Sequence, residues 1–72
     1  MKSGDLRRFS DKLDSEVHGK RIQGRPFMIL DVYPLKDHDG ELVVNFIVDG
    51  SFELGWGVDW IAHNSEALNE AR

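Results

Sequence analysis

"LVVNFIVDGSFELGW", residues 42–56, sets a β-branched run and an aromatic run on either side of an Asp-Gly pair, the strongest short-range signal for a β-hairpin. Two registers compete for it. If Asp49 and Gly50 form a two-residue loop, Val48 lies opposite Ser51, Ile47 opposite Phe52 and Phe46 opposite Glu53, which sets a glutamate beside a phenylalanine that the core needs. If Val48, Asp49 and Gly50 form a three-residue loop with Gly50 left-handed, Ile47 faces Ser51, Phe46 faces Phe52, Asn45 faces Glu53 and Val44 faces Leu54. The second register gathers Leu42, Val44, Phe46, Phe52, Leu54 and Trp56 on one side of the sheet and is the one expected, with Trp56 inward and Gly50 at positive φ.

Around this hairpin the remaining elements are short. "GDLRRF" (4–9) reads as a first strand, and 10–24 as a long polar loop with neither helical nor strand periodicity. "RPFMILDVY" (25–33) is a central strand with Pro26 at its start, where a missing N–H costs least. "PLKDHDGE" (34–41) is a turn rich in residues that tolerate tight backbone. "GVDWIAH" (57–63) suggests a 3₁₀ turn leading into a brief last strand. The tail "NSEALNEAR" carries Asn64 or Ser65 as an N-cap, Glu66 in a first turn and Arg72 at the end. The expectation is a mainly all-β chain: a five-stranded barrel over 1–63 with a short helical or frayed tail over 64–72. Its core is drawn from Leu6, Met28, Leu30, Val32, Leu42, Val44, Phe46, Phe52, Leu54, Trp56 and Ile61.

With 72 residues and no cysteine, the chain is one domain near the lower size limit for folding without staples. Disulfides, thiolate metal sites and cysteine nucleophiles are excluded. No apolar run approaches the ~20 residues of a membrane span, and "MKSGDLRRFSDKL" lacks a signal-peptide core, so a cytoplasmic protein with no membrane contact is expected. Residues 1–25 hold seven basic groups against four acidic, whereas 26–72 hold two against nine. Both read as solvated faces, and the overall charge of −4 disfavours a duplex-binding protein.

The order of strand, long loop, strand, turn, strand, tight turn, strand, single turn and short strand is that of a Src-homology-3-like (SH3-like) β-barrel. "GDLRRF", "ILDVY", "VNFIVDG" and "GWGVDWI" resemble the small SH3-like proteins encoded by tailed bacteriophages, over about residues 3–62. The resemblance implies an accessory phage protein in the host cytoplasm and transfers no catalytic residues. The peptide-binding signalling domains match less well. "GVDWI" echoes their "PSNYV" turn, but their tandem tryptophan and aromatic-rich first loop are missing.

Signatures of chemistry fail one by one. "KDHDGE" suggests a calcium loop, but with Asp37, Asp39 and Gly40 at positions three, five and six, the first and twelfth ligands fall on Leu35 and Phe46. His18, His38 and His63 are far apart and read as exposed turn residues rather than metal ligands. No phosphate-cradling glycine pattern occurs. Pairing Asp37 with Asp39, or Asp59 with Glu53, for acid–base work needs a cleft that a barrel this small seldom has. The expectation is therefore a non-enzymatic interaction module without cofactor or metal, with a host protein as partner. Competing classes are a Tudor- or KOW-like nucleic-acid barrel and a virion component. The former would use Lys20, Arg21, Arg25 and Arg7 or Arg8, with Tyr33 or Trp60 as a stacking platform. Taking Asp31 to mark the outer face of its strand places Phe27, Ile29 and Tyr33 outward, joined by Val43 and Ile47 and with Trp60 at the margin. This surface would serve a host protein or a homodimer unless the 10–24 loop or the tail around Leu68 covers it.

Overall fold

The computed structural model describes residues 1–13 and 22–68. Five strands, β1 (Leu6–Phe9), β2 (Pro26–Pro34), β3 (Leu42–Val48), β4 (Ser51–Gly57) and β5 (Ser65–Ala67), form one sheet in the order β4-β3-β2-β1-β5. Every pairing is antiparallel. The sheet is not closed; β4 and β5 are its edges. A 3₁₀ turn, Lys36–His38, bridges β2 and β3, and a short helix, α1 (Val58–His63), separates β4 from β5. No helix among the described residues is long and apolar enough to cross a membrane.

The β3–β4 hairpin adopts the two-residue loop, not the three-residue one. Val48 pairs with Ser51, Ile47 with Phe52 and Phe46 with Glu53. Asp49 (φ 52°) and Gly50 (φ 78°) are both left-handed, the backbone of a type I′ turn, whose twist matches that of the flanking strands. Aspartate is among the few side-chain-bearing residues that accept this region, and an ion pair to Arg25 holds the Asp49 carboxylate. The glutamate opposite Phe46 is tolerated because β4 is an edge strand, where Glu53 stays half-buried.

Strict alternation then fails twice at one level of the sheet. In β2 the register slips between Ile29, opposite Phe46, and Asp31, opposite Asn45, so that Leu30 is an extra residue. In β4 it slips between Glu53, opposite Phe46, and Trp56, opposite Val44, so that Leu54 and Gly55 share the place facing Asn45. Such a bulge reverses which parity of residue faces inward. Gly55 takes the left-handed conformation there (φ 73°). The Asn45 Oδ1 accepts from the Gly55 N–H at 2.9 Å and from the Tyr33 hydroxyl at 3.3 Å, linking both irregular strands to the regular one between them.

These reversals redistribute the core. Phe9, Ile22, Phe27, Ile29, Val44, Phe46, Val48 and Ile61 form one buried cluster, with Leu13, Val32, Trp56 and Val58 packed against it. Val44, Phe46 and Ile61 are thus buried as expected, while Val32 and Trp56 are half-buried. Leu6, Met28, Leu42, Phe52 and Leu54 are exposed and Leu30 is only half-buried. Phe9 stacks on Phe27 with centroids 4.0 Å apart, and Phe46 meets both rings at 5.6 and 5.0 Å. Leu13 and Ile22 bring both described ends of the 10–24 loop to this inner side. Its neck is tied by Gly24 N–H to Ser10 C=O and Ser10 N–H to Asn64 C=O.

The C-terminal elements also differ from expectation: residues 58–63 are helix rather than turn and strand, and Ser65–Ala67 is strand rather than helical tail. Asn64 and Ser65 end one helix instead of beginning another. The Asn64 side-chain amide and backbone N–H both donate to the Trp60 carbonyl, and the Ser65 hydroxyl donates to the Ile61 carbonyl. Arg7 then donates to Ser65 Oγ at 2.7 Å and to its carbonyl at 3.0 Å, fastening β5 beside β1. The remainder of the tail, 69–72, lies outside the described residues.

Substitutions at two positions test the turn and the paired bulges. A Cβ at Gly50 would meet nothing within 4 Å, so the cost of Gly50→Val is conformational, about 1–3 kcal/mol in urea unfolding, while Gly50→Asn costs far less. Asn45→Ala removes the acceptor of the bulge amide and should cost about 1 kcal/mol. Asn45→Asp keeps that acceptor and should recover much of the loss.

Candidate interaction surface

The outer face of the sheet is organised by the same pairings. Phe27 and Ile29 face the core, so Met28 between them faces out, and its cross-strand neighbours Leu6 and Ile47 share that face. Ile47 in turn lies opposite Phe52 on β4, and the Leu68 N–H donates to the Leu6 carbonyl at the other edge. Leu68, Leu6, Met28, Ile47 and Phe52 therefore form one apolar row crossing the strands. Exposures of 42% at Leu6, 37% at Met28 and 68% at Phe52 leave the row at solvent, and Leu54, 71% exposed, extends it beside the bulge. Packing of these side chains on one another leaves Ile47 half-buried.

Of the residues expected at an interaction surface, Tyr33 and Ile47 do lie on this face, Tyr33 exposed. Phe27 and Ile29 do not: both are in the core, because the Leu30 bulge makes Asp31 useless as a marker for residues before it. Val43 has the outward parity but is 3% exposed. Trp60 belongs to α1 on the inner side, where its ring lies 5.3 Å from Trp56 and 6.3 Å from Phe9, and it is part-exposed. The two tryptophans thus form one cluster, with Trp56 bridging inward to Phe46 at 5.3 Å. Leu68 is a member of the apolar row and not a cover over it.

Among the described residues, the groups suggested for nucleic-acid binding are not brought together. Arg7 is turned to Ser65, and Arg25 is paired with Asp49. Tyr33 and Trp60 lie on opposite faces of the sheet, and Lys20 and Arg21 fall outside the described residues. A shallow depression of about 300 Å³ at the β1–β5 end is lined by both signs of charge, Arg8, Lys12 and His63 against Asp11 and Glu66. Arg8 and Asp11 already face each other there at 3.7 Å. Among the described residues no three of His, Cys, Asp or Glu come together as a metal site.

Adjacent residues of β2 make the test of face. Ile29→Asp buries a charge without a partner and should abolish cooperative unfolding. Met28→Thr, one position away, places a strand-forming residue on the solvent side and should change stability by no more than about 1 kcal/mol. Equal losses in a thermal melt would reject the assignment. No protein-family model, curated protein or solved structure matches this chain.

Proposed function

We propose that this protein is a non-enzymatic interaction module that docks a partner protein on the outer face of its sheet. One observation carries the reading: the row Leu68–Leu6–Met28–Ile47–Phe52 stays at solvent across five strands, where a half-buried antiparallel sheet normally presents polar side chains. Contiguous apolar surface of this kind marks interaction sites in small soluble proteins.

The fold is read as an open form of the SH3-like barrel. What supports this is the element order, with β1 paired to both β2 and β5 and a single helical turn region before the last strand. The resemblance of "GDLRRF", "VNFIVDG" and "GWGVDWI" to the small phage barrels supports a bacteriophage accessory protein acting in the host cytoplasm on a host protein.

Capture from a bacterial lysate on immobilised protein, compared with the Met28→Thr/Phe52→Thr double variant, tests the surface. Proteins held by the wild type and released by the double variant are expected. Retention of the same set by both would reject this face as the docking site. Steeply salt-dependent gel shifts with nucleic acid would replace the reading altogether.

A further inference from the structure

We propose that Asp39–Gly40 is a site of spontaneous isoaspartate formation in the folded protein, and that Asp49–Gly50, the other Asp-Gly pair of the sequence, is protected from it. Neither pair belongs to the apolar row. Glycine carries no side chain to shield its nitrogen, so in an Asp-Gly pair that nitrogen can attack the carboxyl carbon of the preceding side chain. At Asp39 a bond forms between the Gly40 nitrogen and Cγ, and the amide proton leaves with the hydroxyl of the protonated carboxyl as water. Water then opens the five-membered succinimide. Opening at Cγ restores aspartate; opening at the main-chain carbonyl carbon leaves the chain running through Cβ and frees an α-carboxylate. One water leaves and one returns, with no oxidant or reductant, so the two products are isomers of equal mass.

The two pairs begin alike. Asp39 (φ 54°) and Asp49 (φ 52°) are both left-handed, each is followed by a glycine of positive φ, and a Cβ on either glycine would meet nothing within 4 Å. Their surroundings separate them. The Asp49 carboxylate is ion-paired with Arg25, whereas the exposed Asp39 side chain has no hydrogen bond or ion pair among the described residues. Asp49 and Gly50 also fill the whole of a two-residue loop between the opposed residues Val48 and Ser51, where one extra main-chain atom would break the type I′ turn. Asp39 and Gly40 instead end a longer connection beyond the Pro34–Leu42 pair, held by Gly40 N–H to Leu35 C=O at 3.2 Å and Leu35 N–H to Glu41 C=O at 2.9 Å. At its ψ of 33° the Asp39 backbone sets the Gly40 nitrogen nearly opposite Cβ about the Cα–C bond, so ring closure requires the Gly40 hydrogen bond to break. That opening need not disturb any strand pairing, and local openings of this kind cost far less than global unfolding. The longer loop also accommodates the extra main-chain atom of the product.

The test is an incubation of the intact folded protein for several weeks at neutral pH and physiological temperature, followed by peptide mapping. Isoaspartate is scored by electron-transfer fragmentation and by methyl transfer from an isoaspartyl methyltransferase. It is expected to accumulate several-fold faster at Asp39 than at Asp49. A parallel sample unfolded in guanidinium chloride should convert both at comparable rates. Asp39→Glu, whose ring would be six-membered, should abolish conversion at that position and leave Asp49 unchanged. Arg25→Gln, shown to be folded by a thermal melt, should raise the rate at Asp49 and leave Asp39 unaltered. Equal rates in the folded protein, or faster conversion at Asp49, overturn the proposal. So does a preference for Asp39 that persists undiminished in guanidinium chloride, which would assign it to the flanking residues rather than to the two turns.

Discussion

The facing of the three central strands turns on one level of the sheet. Asn45 sits in β3 at the level where both neighbouring strands carry an extra residue, and its amide oxygen accepts from the Gly55 N–H on one side and the Tyr33 hydroxyl on the other. Each extra residue is absorbed at this level, so directly opposed residues of all three strands share a face on both sides of it. Ile29, Phe46 and Glu53 share one tier of the inner face, and Val32, Val44 and Trp56 the next. Without its own bulge either strand would present the other parity beyond this level, turning Val32 or Trp56 outward and Asp31 or Gly55 inward. Paired bulges also increase local twist, letting a five-stranded sheet curve around the cluster of Phe9, Phe27 and Phe46.

That curvature explains how so short a chain encloses a core. The sheet supplies one wall, and α1 closes over it through Ile61 while Leu13 and Ile22 contribute from the first loop. The stacked and edgewise rings inside fill volume with few residues. Among the described residues no second layer lies against the outer wall, and its apolar row is at solvent.

The strands themselves were legible in the sequence, since β-branched runs bounded by Pro, Gly and Asp mark them. Their faces were not. Reading outward from Asp31 is correct for Val32 and Tyr33 and inverted for Phe27, Met28 and Ile29, because Leu30 lies between the two halves and no residue type announces it. The hairpin register is hidden for a similar reason: by hydrophobic pattern Phe46 suits Phe52 better than Glu53, and the sequence does not show that β4 is an edge where the carboxylate keeps its water. Consequently the sequence pattern points Leu6, Met28, Phe52 and Leu54 to the core, although they make up most of the exposed apolar row. Asn64 and Ser65 carry the same ambiguity, because a residue whose side chain caps a helix start can equally bind the last carbonyls of a preceding one.

The fastening of β5 to β1 has a consequence for how the chain acquires its structure. Arg7 and Ser65 are 58 positions apart, yet their contact joins neighbouring strands. Strand β1 is therefore among the last to be fully bordered, and one of its sides waits until synthesis has passed Ala67. Folding of such a topology is limited by closing a long loop rather than by forming local turns, which places it among slowly folding small domains despite its size. During that interval the unbordered side of "LRRF" is shielded from other nascent chains chiefly by its two adjacent arginines, whose charge discourages pairing with a wrong strand.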